Sequence, residues 1–177
     1  MHDRMTNGTP FRVLYIIDDF NREVLNITVE RSIGAKRVIR ELQQLMEWRG
    51  QPESLRFDNG PEFIATNILD FCRDNEIETL HIQPRKPNQN AYVERFNRSY
   101  HEDILDKYLF DNLHQVRSIS QHWQWLYNND RPHDTLLGMT PTEVLLEYGK
   151  RIDDKPMEMF STFQQDDDDV DFLSIFN

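Results

Sequence analysis

The sequence predicts an α/β fold, a mixed β-sheet flanked by helices, and three observations lead there. Short runs rich in β-branched and aromatic residues recur at Phe11–Ile17, Val24–Val29, Leu55–Asp58 and Glu78–Ile82. Segments with apolar residues at helical spacing separate or follow them. The resulting order is strand, strand, helix, strand, helix, strand, helix, helix, which fits a mixed sheet covered by helices.

The first two runs are joined by Asp18-Asp19 and Asn21-Arg22-Glu23, so they read as an antiparallel hairpin. Ser32 to Trp48 carries Ile33, Val38, Ile39, Leu42, Leu45 and Met46 at helical spacing, and Gly50 is a stop signal. Leu55–Asp58 runs into the turn formers Asn59-Gly60-Pro61. The helix expected from Pro61 to Asp74 turns Phe63, Ile64, Ile68, Leu69 and Cys72 inward. After Glu78–Ile82, the loop Gln83-Pro84-Arg85-Lys86-Pro87-Asn88 precedes a helix from about Asn90 to Tyr108. Another helix follows over Leu113–Tyr127, rich in Trp and Leu, which Arg131-Pro132-His133 breaks. A short last helix is capped by Thr140, with Pro141 at its first position.

A chain of 177 residues, 38% of them apolar, has room for one domain with a true core. That domain is expected over residues 1–150, and the acidic tail, residues 151–177, is expected to be disordered. The tail holds eight acids and two bases, so it contributes −6 of the net charge of −11. The body is therefore only mildly acidic, which weakens non-specific DNA binding without excluding it. No apolar run approaches the length of a membrane span and the N-terminus lacks a signal-peptide pattern, so no membrane role and a cytoplasmic location are expected. A lone cysteine, Cys72, excludes an internal disulfide and reads as a core thiol.

Two carboxylates stand out. Asp58 ends a strand at a turn, and Glu94 lies inside a polar helix, with residues 59–93 between them. Acids on a strand end and a nearby helix can converge on one hard, oxygen-liganded cation, which suits phosphodiester chemistry. Taken singly, Asp58 is explained by turn chemistry and Glu94 by a solvated helix face. Glu94 gains weight from its neighbours. Asn90, Asn97 and Arg98 share its face, whereas Tyr92, Val93 and Phe96 fall on the other side. His101 lies two turns on, nearly on the same face, as a phosphate contact or a plain surface histidine. Arg85 and Lys86 form a charged surface loop that next to such a site would hold DNA phosphates. Arg131-Pro132-His133 serves either that role or a cap. Asp18 and Asp19 read as turn formers rather than ligands. No Gly-x-Ser-x-Gly, Gly-rich phosphate loop or His-Glu-x-x-His is present.

Several ordered motifs then resemble a known family. Phe57-Asp58-Asn59-Gly60-Pro61-Glu62-Phe63, Asn90-Ala91-Tyr92-Val93-Glu94-Arg95-Phe96-Asn97, Tyr127-Asn128-Asn129-Asp130-Arg131-Pro132-His133 and Thr140-Pro141 look like the integrase core of bacterial insertion-sequence transposases. These are relatives of retroviral integrases with an Asp-Asp-Glu triad, and the match runs from about Phe11 to Glu147. The resemblance implies a ribonuclease-H-like fold, two Mg²⁺ or Mn²⁺ ions, and DNA cleavage followed by strand transfer. Asp58 matches the second aspartate and Glu94 the glutamate. DNA and further copies of the chain are the implied partners.

Two departures accompany the match. The family's leading aspartate belongs to a central strand just before the segment like Phe11–Asp19, in a Trp-x-x-Asp-Phe pattern. That position is expected upstream of Met1, so that the fragment is inactive by itself; Asp3, Asp18 and Asp19 are poor substitutes. Losing about three inward apolar side chains of that strand would cost roughly 5–9 kcal/mol at about 1.5–3 each. Such a loss is comparable to a domain's stability of roughly 5–15 kcal/mol, so either low stability or partial filling of the gap by Met1–Met5 is expected. In addition, His101 stands where these enzymes commonly carry Lys or Arg, and a mostly neutral imidazole holds a phosphate less firmly.

Overall fold

Alternation of side chains along one long strand sets both layers of the core. The computed structural model describes residues 1–57, 66–81, 91–149, 157–158 and 171–175. Strand β1 (His2–Arg4) is followed by β2 (Pro10–Asp18) and β3 (Val24–Glu30). Phe11, Val13, Tyr15 and Ile17 of β2 enter one apolar cluster, and Leu14 and Ile16 enter another on the opposite face. All six are buried.

The expected hairpin is present: β2 and β3 pair antiparallel from Arg12 opposite Glu30 to Ile17 opposite Val24, with an irregularity between Ile16 and Ile17. Helix α1 (Ala35–Arg49) starts later than the spacing from Ser32 predicts, because Gly34 is extended at its N-cap and Ile33 is already buried. Gly50 ends α1 at φ 90°, where a residue without Cβ is favoured, and its N–H donates to the Met46 carbonyl at 3.1 Å. Strand β4 (Pro52–Phe57), helix α2 (Thr66–Asp74) and strand β5 (Glu78–His81) follow. Phe63 and Ile64 lie outside the described residues.

Helix α3 covers Ala91–Tyr100, shorter than the expected run to Tyr108. A π-helical turn, His101–Leu105, widens the ladder there, and the Asp106 N–H donates to the His101 carbonyl at 2.9 Å. The chain then turns Phe110 inward, where its ring meets Phe11 edge-on at 5.9 Å. Helix α4 (Leu113–Asn129) is capped by Asn112, which accepts from the Gln115 N–H at 3.1 Å. Helix α5 (Pro141–Tyr148) carries the full capping box anticipated at Thr140, with Glu143 returning the bond to the Thr140 N–H at 2.8 Å.

Helices α3 and α4 cover the face holding Tyr15, through Val93, Phe96, Tyr100, Val116, Trp123 and Tyr127. Helices α1 and α2 cover the other face, through Val38, Leu42, Leu45, Ile68 and Cys72. Burial pushes the Cys72 thiol up to about 12, so it behaves as a core group. The result is a mixed sheet between two helical layers. Among the described residues no helix is long and apolar enough to cross a membrane.

The middle of the sheet has an unexpected composition. Strands β6 (Met157–Glu158) and β7 (Asp171–Ile175) come from the acidic segment, and the sheet order runs β1-β2-β7-β4-β5. The N-terminus also contributes. Met1 and Met5 are buried in the first cluster, and β1 pairs with Pro10–Arg12 of β2. The remaining residues of 151–177 lie outside the described ones.

Candidate active site

Glu94 sits in the first turn of α3, on a helix pinned from behind. Phe96 packs edge to face on Tyr15 of β2 at 4.6 Å, on Tyr127 at 5.3 Å and on Trp123 at 5.4 Å. Tyr100 shares a 2.7 Å hydrogen bond with the Ser120 hydroxyl of α4. Such aromatic pairs add about 0.5–1.5 kcal/mol each beyond area burial, so the helix is a stiff mount.

The opposite face is polar, as the helical spacing predicts. Glu94, Arg98 and His101 are exposed and Asn97 is half-buried. Among the described residues Glu94 and Arg98 form no ion pair, so both charges are available to a ligand. His101 is engaged: its Nδ1 lies 3.0 Å from Asp106 Oδ1, a contact made by the π-helical turn. Strand β4 ends at Phe57 and leads by sequence into Asp58. Asp58, Arg85, Lys86 and Asn90 lie outside the described residues.

The other acids have structural employment. Asp18 Oδ1 accepts the Phe20 N–H at 2.9 Å and closes the turn after β2. Burial pushes the Asp18 carboxyl up to about 7, against the opposing pull of the Phe20 N–H and of Arg49, 3.8 Å away. Asp19 pairs with Arg22 inside the same turn. Asp3 Oδ1 accepts the Arg4 N–H at 2.7 Å. Among the described residues no group of three or more His, Cys, Asp or Glu side chains could hold a metal ion.

A cleft of about 410 Å³ opens beside α3, with Arg22, Arg95, Arg131 and His133 on its walls. Arg22 lies over the Tyr92 ring at 4.2 Å, and His133 meets Tyr127 edge-on at 4.6 Å. Arg95 pairs with Asp134 at 2.8 Å and Arg131 with Asp103 at 2.9 Å. The sequence pattern singles out Arg131 and His133 but not Arg22 or Arg95. Nothing local marks Arg22, because its place follows from the hairpin turn folding against α3.

Comparisons with known proteins agree with this architecture. Two family models, both described as integrase core domain, match residues 1–87 and 75–141. An uncharacterised 39.2 kDa protein of insertion element IS476 from Xanthomonas euvesicatoria is 34% identical over 82% of this chain and 42% of its own length. A 31.7 kDa protein of insertion element IS407 from Burkholderia multivorans is 33% identical over 82% of this chain and 53% of its own. The chain thus spans about half the length of these relatives. Among solved structures, the HTLV-2 integrase catalytic core in complex with magnesium (trimeric form) superposes with a TM-score of 0.60 at 21% identity, covering 81% of this chain and 90% of that one. The BIV integrase catalytic core gives 0.56 at 23% identity, over 85% and 93%.

These likenesses establish a ribonuclease-H-like α/β fold of the integrase-core type. The chain belongs to the integrase core family, and it is similar to proteins of bacterial insertion elements.

Proposed function

We propose that this chain is catalytic-core sequence of a transposase that cleaves DNA and transfers the cut strand to a new site. The observation that carries the reading is Glu94, a carboxylate on α3 that is exposed and unpaired among the described residues, beside the sheet whose strand β4 leads by sequence into Asp58. Asp58 and Glu94 are the residues that would hold Mg²⁺ or Mn²⁺; hard carboxylate oxygens fit such ions. When bound, the ions supply charge neutralisation at the attacking and leaving oxygens of a phosphodiester. Within the chain, the packing of Phe96 and Tyr100 fixes the α3 backbone from which Glu94 projects. Arg98 and Asn97 offer donors to DNA phosphates along the same face, and Arg85, Lys86, Asn90 and His101 are the further candidates for phosphate contacts. Assembly with further copies of the chain on DNA, in the cytoplasm, completes the proposal.

Cleavage and strand-transfer assays with labelled element ends, in Mg²⁺ or Mn²⁺, test it on this chain and on an upstream-extended form. Joined product is expected from the extended form and is expected to vanish with Asp58→Asn and with Glu94→Gln. Product that survives Glu94→Gln would overturn the assignment. Binding of DNA without product in either form would favour a chain that retains contacts but no chemistry.

A further inference from the structure

We infer that Asp171–Ile175 is the strand that closes the sheet in cis, joining the half that backs Glu94 to the half that leads into Asp58. The register places it without ambiguity. On β2, Leu14 pairs with Thr28 of β3 on one edge and with Asp171 on the other, and the parallel pairing continues to Asp18 opposite Ile175. On β4, Leu55 pairs with Thr79 of β5 on one edge and with Ile175 on the other, antiparallel. Strand β7 therefore lies between β2 and β4, end to end with β1, which pairs with the same edge of β2 at Pro10–Arg12. Among the described strands it is the element that bonds to both halves; β6 pairs with β4 and β1 with β2.

The slot it fills needs an occupant. With β7 seated, Leu14, Tyr15, Ile16, Ile17, Ser54 and Leu55 are all buried, and its backbone pairs the facing edges of β2 and β4, which would otherwise be left as open inner edges. Unpaired buried backbone groups are costly, and open inner edges invite foreign strands. The segment has the composition for that slot, since Phe172-Leu173-Ser174-Ile175 is β-prone, unlike the Asp166–Asp169 run before it. Helix α5 ends at Tyr148, and the residues between it and Asp171 can span roughly 70 Å at about 3.3 Å each. A tethered strand also acts at an effective concentration on the order of millimolar, which favours the chain's own tail over a second copy.

Seating β7 sets the spacing between β2, against which α3 packs through Tyr15 and Phe96, and β4. This consequence rests on the assignment of Asp58 and Glu94, but the test does not.

Two measurements on the full chain, neither involving DNA or metal, test the seating. Leu173→Pro removes a backbone donor in mid-strand, and hydrogen exchange of the β2 amides on that edge, Tyr15 and Ile17, and of Leu55–Arg56 is expected to accelerate at least about tenfold. Unchanged exchange there would overturn the proposal. Should the variant unfold, cross-linking decides. With Cys72→Ala as background, Ile16→Cys and Leu173→Cys occupy register partners and are expected to oxidise to a disulfide within one chain at low protein concentration. Absence of that disulfide, or its formation only between chains, would overturn seating in cis.

Discussion

The rings of Tyr15 and Phe96 meet edge to face with centroids 4.6 Å apart, and both side chains are buried. This contact ties the middle of β2 to the helix carrying Glu94 two residues earlier. Phe96 also touches Trp123 and Tyr127, so one side chain joins sheet, α3 and α4. Phe96→Ala is expected to cost about 3–5 kcal/mol, the usual range for emptying such a site. Because domains hold only roughly 5–15 kcal/mol in total, the variant should unfold at markedly lower denaturant. Equilibrium urea unfolding followed by tryptophan fluorescence checks it; a midpoint equal to wild type would show that Phe96 does not anchor α3.

Glu94 presents the opposite case. It is exposed and unpaired among the described residues, so Glu94→Gln should change stability by no more than about 0.5 kcal/mol. Strand transfer by the upstream-extended protein should nevertheless be lost. Thermal unfolding and a joining assay on the same preparation separate the two effects. A variant that melts early would instead give the carboxylate a structural role.

Much of this was legible in the residues because local physics decides it. The alternation in Phe11–Ile17 fixes which side chains enter which layer, and the spacing of Val93, Phe96 and Tyr100 turns Glu94 and Arg98 outward. Thr140 and Pro141 announce α5 through caps that need no distant partner. The misses are non-local or small. A single π-helical turn at His101–Leu105 leaves no trace in an apolar period, yet it ends α3 early and turns His101 toward Asp106. Strand β1, of three residues, exists only through its pairing with β2. Strand β7 is hidden by the acidic run before it, and its place depends on edges contributed by residues far away in the chain. Arg22 reaches Tyr92 only once hairpin and helix have packed.

The capping box at α5 yields a smaller, sharper expectation. Thr140 Oγ1 accepts the Glu143 N–H at 3.2 Å while Glu143 accepts the Thr140 N–H. Thr140→Ala should cost about 1 kcal/mol, whereas Glu143→Gln should cost less, since an amide oxygen still accepts. Paired thermal melts of the two variants check the order. Equal losses would mean that the threonine contributes through burial alone.

Asp18 should leave a signature in the pH dependence of stability. Burial raises its folded-state value to about 7 from an ordinary 3.8. The folded chain therefore holds a proton that the unfolded chain has released across that window. The stabilising contribution of this group is complete below about pH 4 and is lost as pH rises through about 7. Asp18→Asn keeps an oxygen for the Phe20 N–H but cannot ionise. Stability of the variant relative to wild type should thus rise between about pH 4 and pH 8, by on the order of a few kcal/mol at roughly 1.4 per unit. Taking the difference cancels the titration of every other carboxylate. Arg49, 3.8 Å from Asp18, also pairs with Glu23, so the substitution leaves that guanidinium a partner. Urea unfolding of both proteins across the window measures it, and a difference that stays flat with pH would show that Asp18 is ionised in the folded chain throughout.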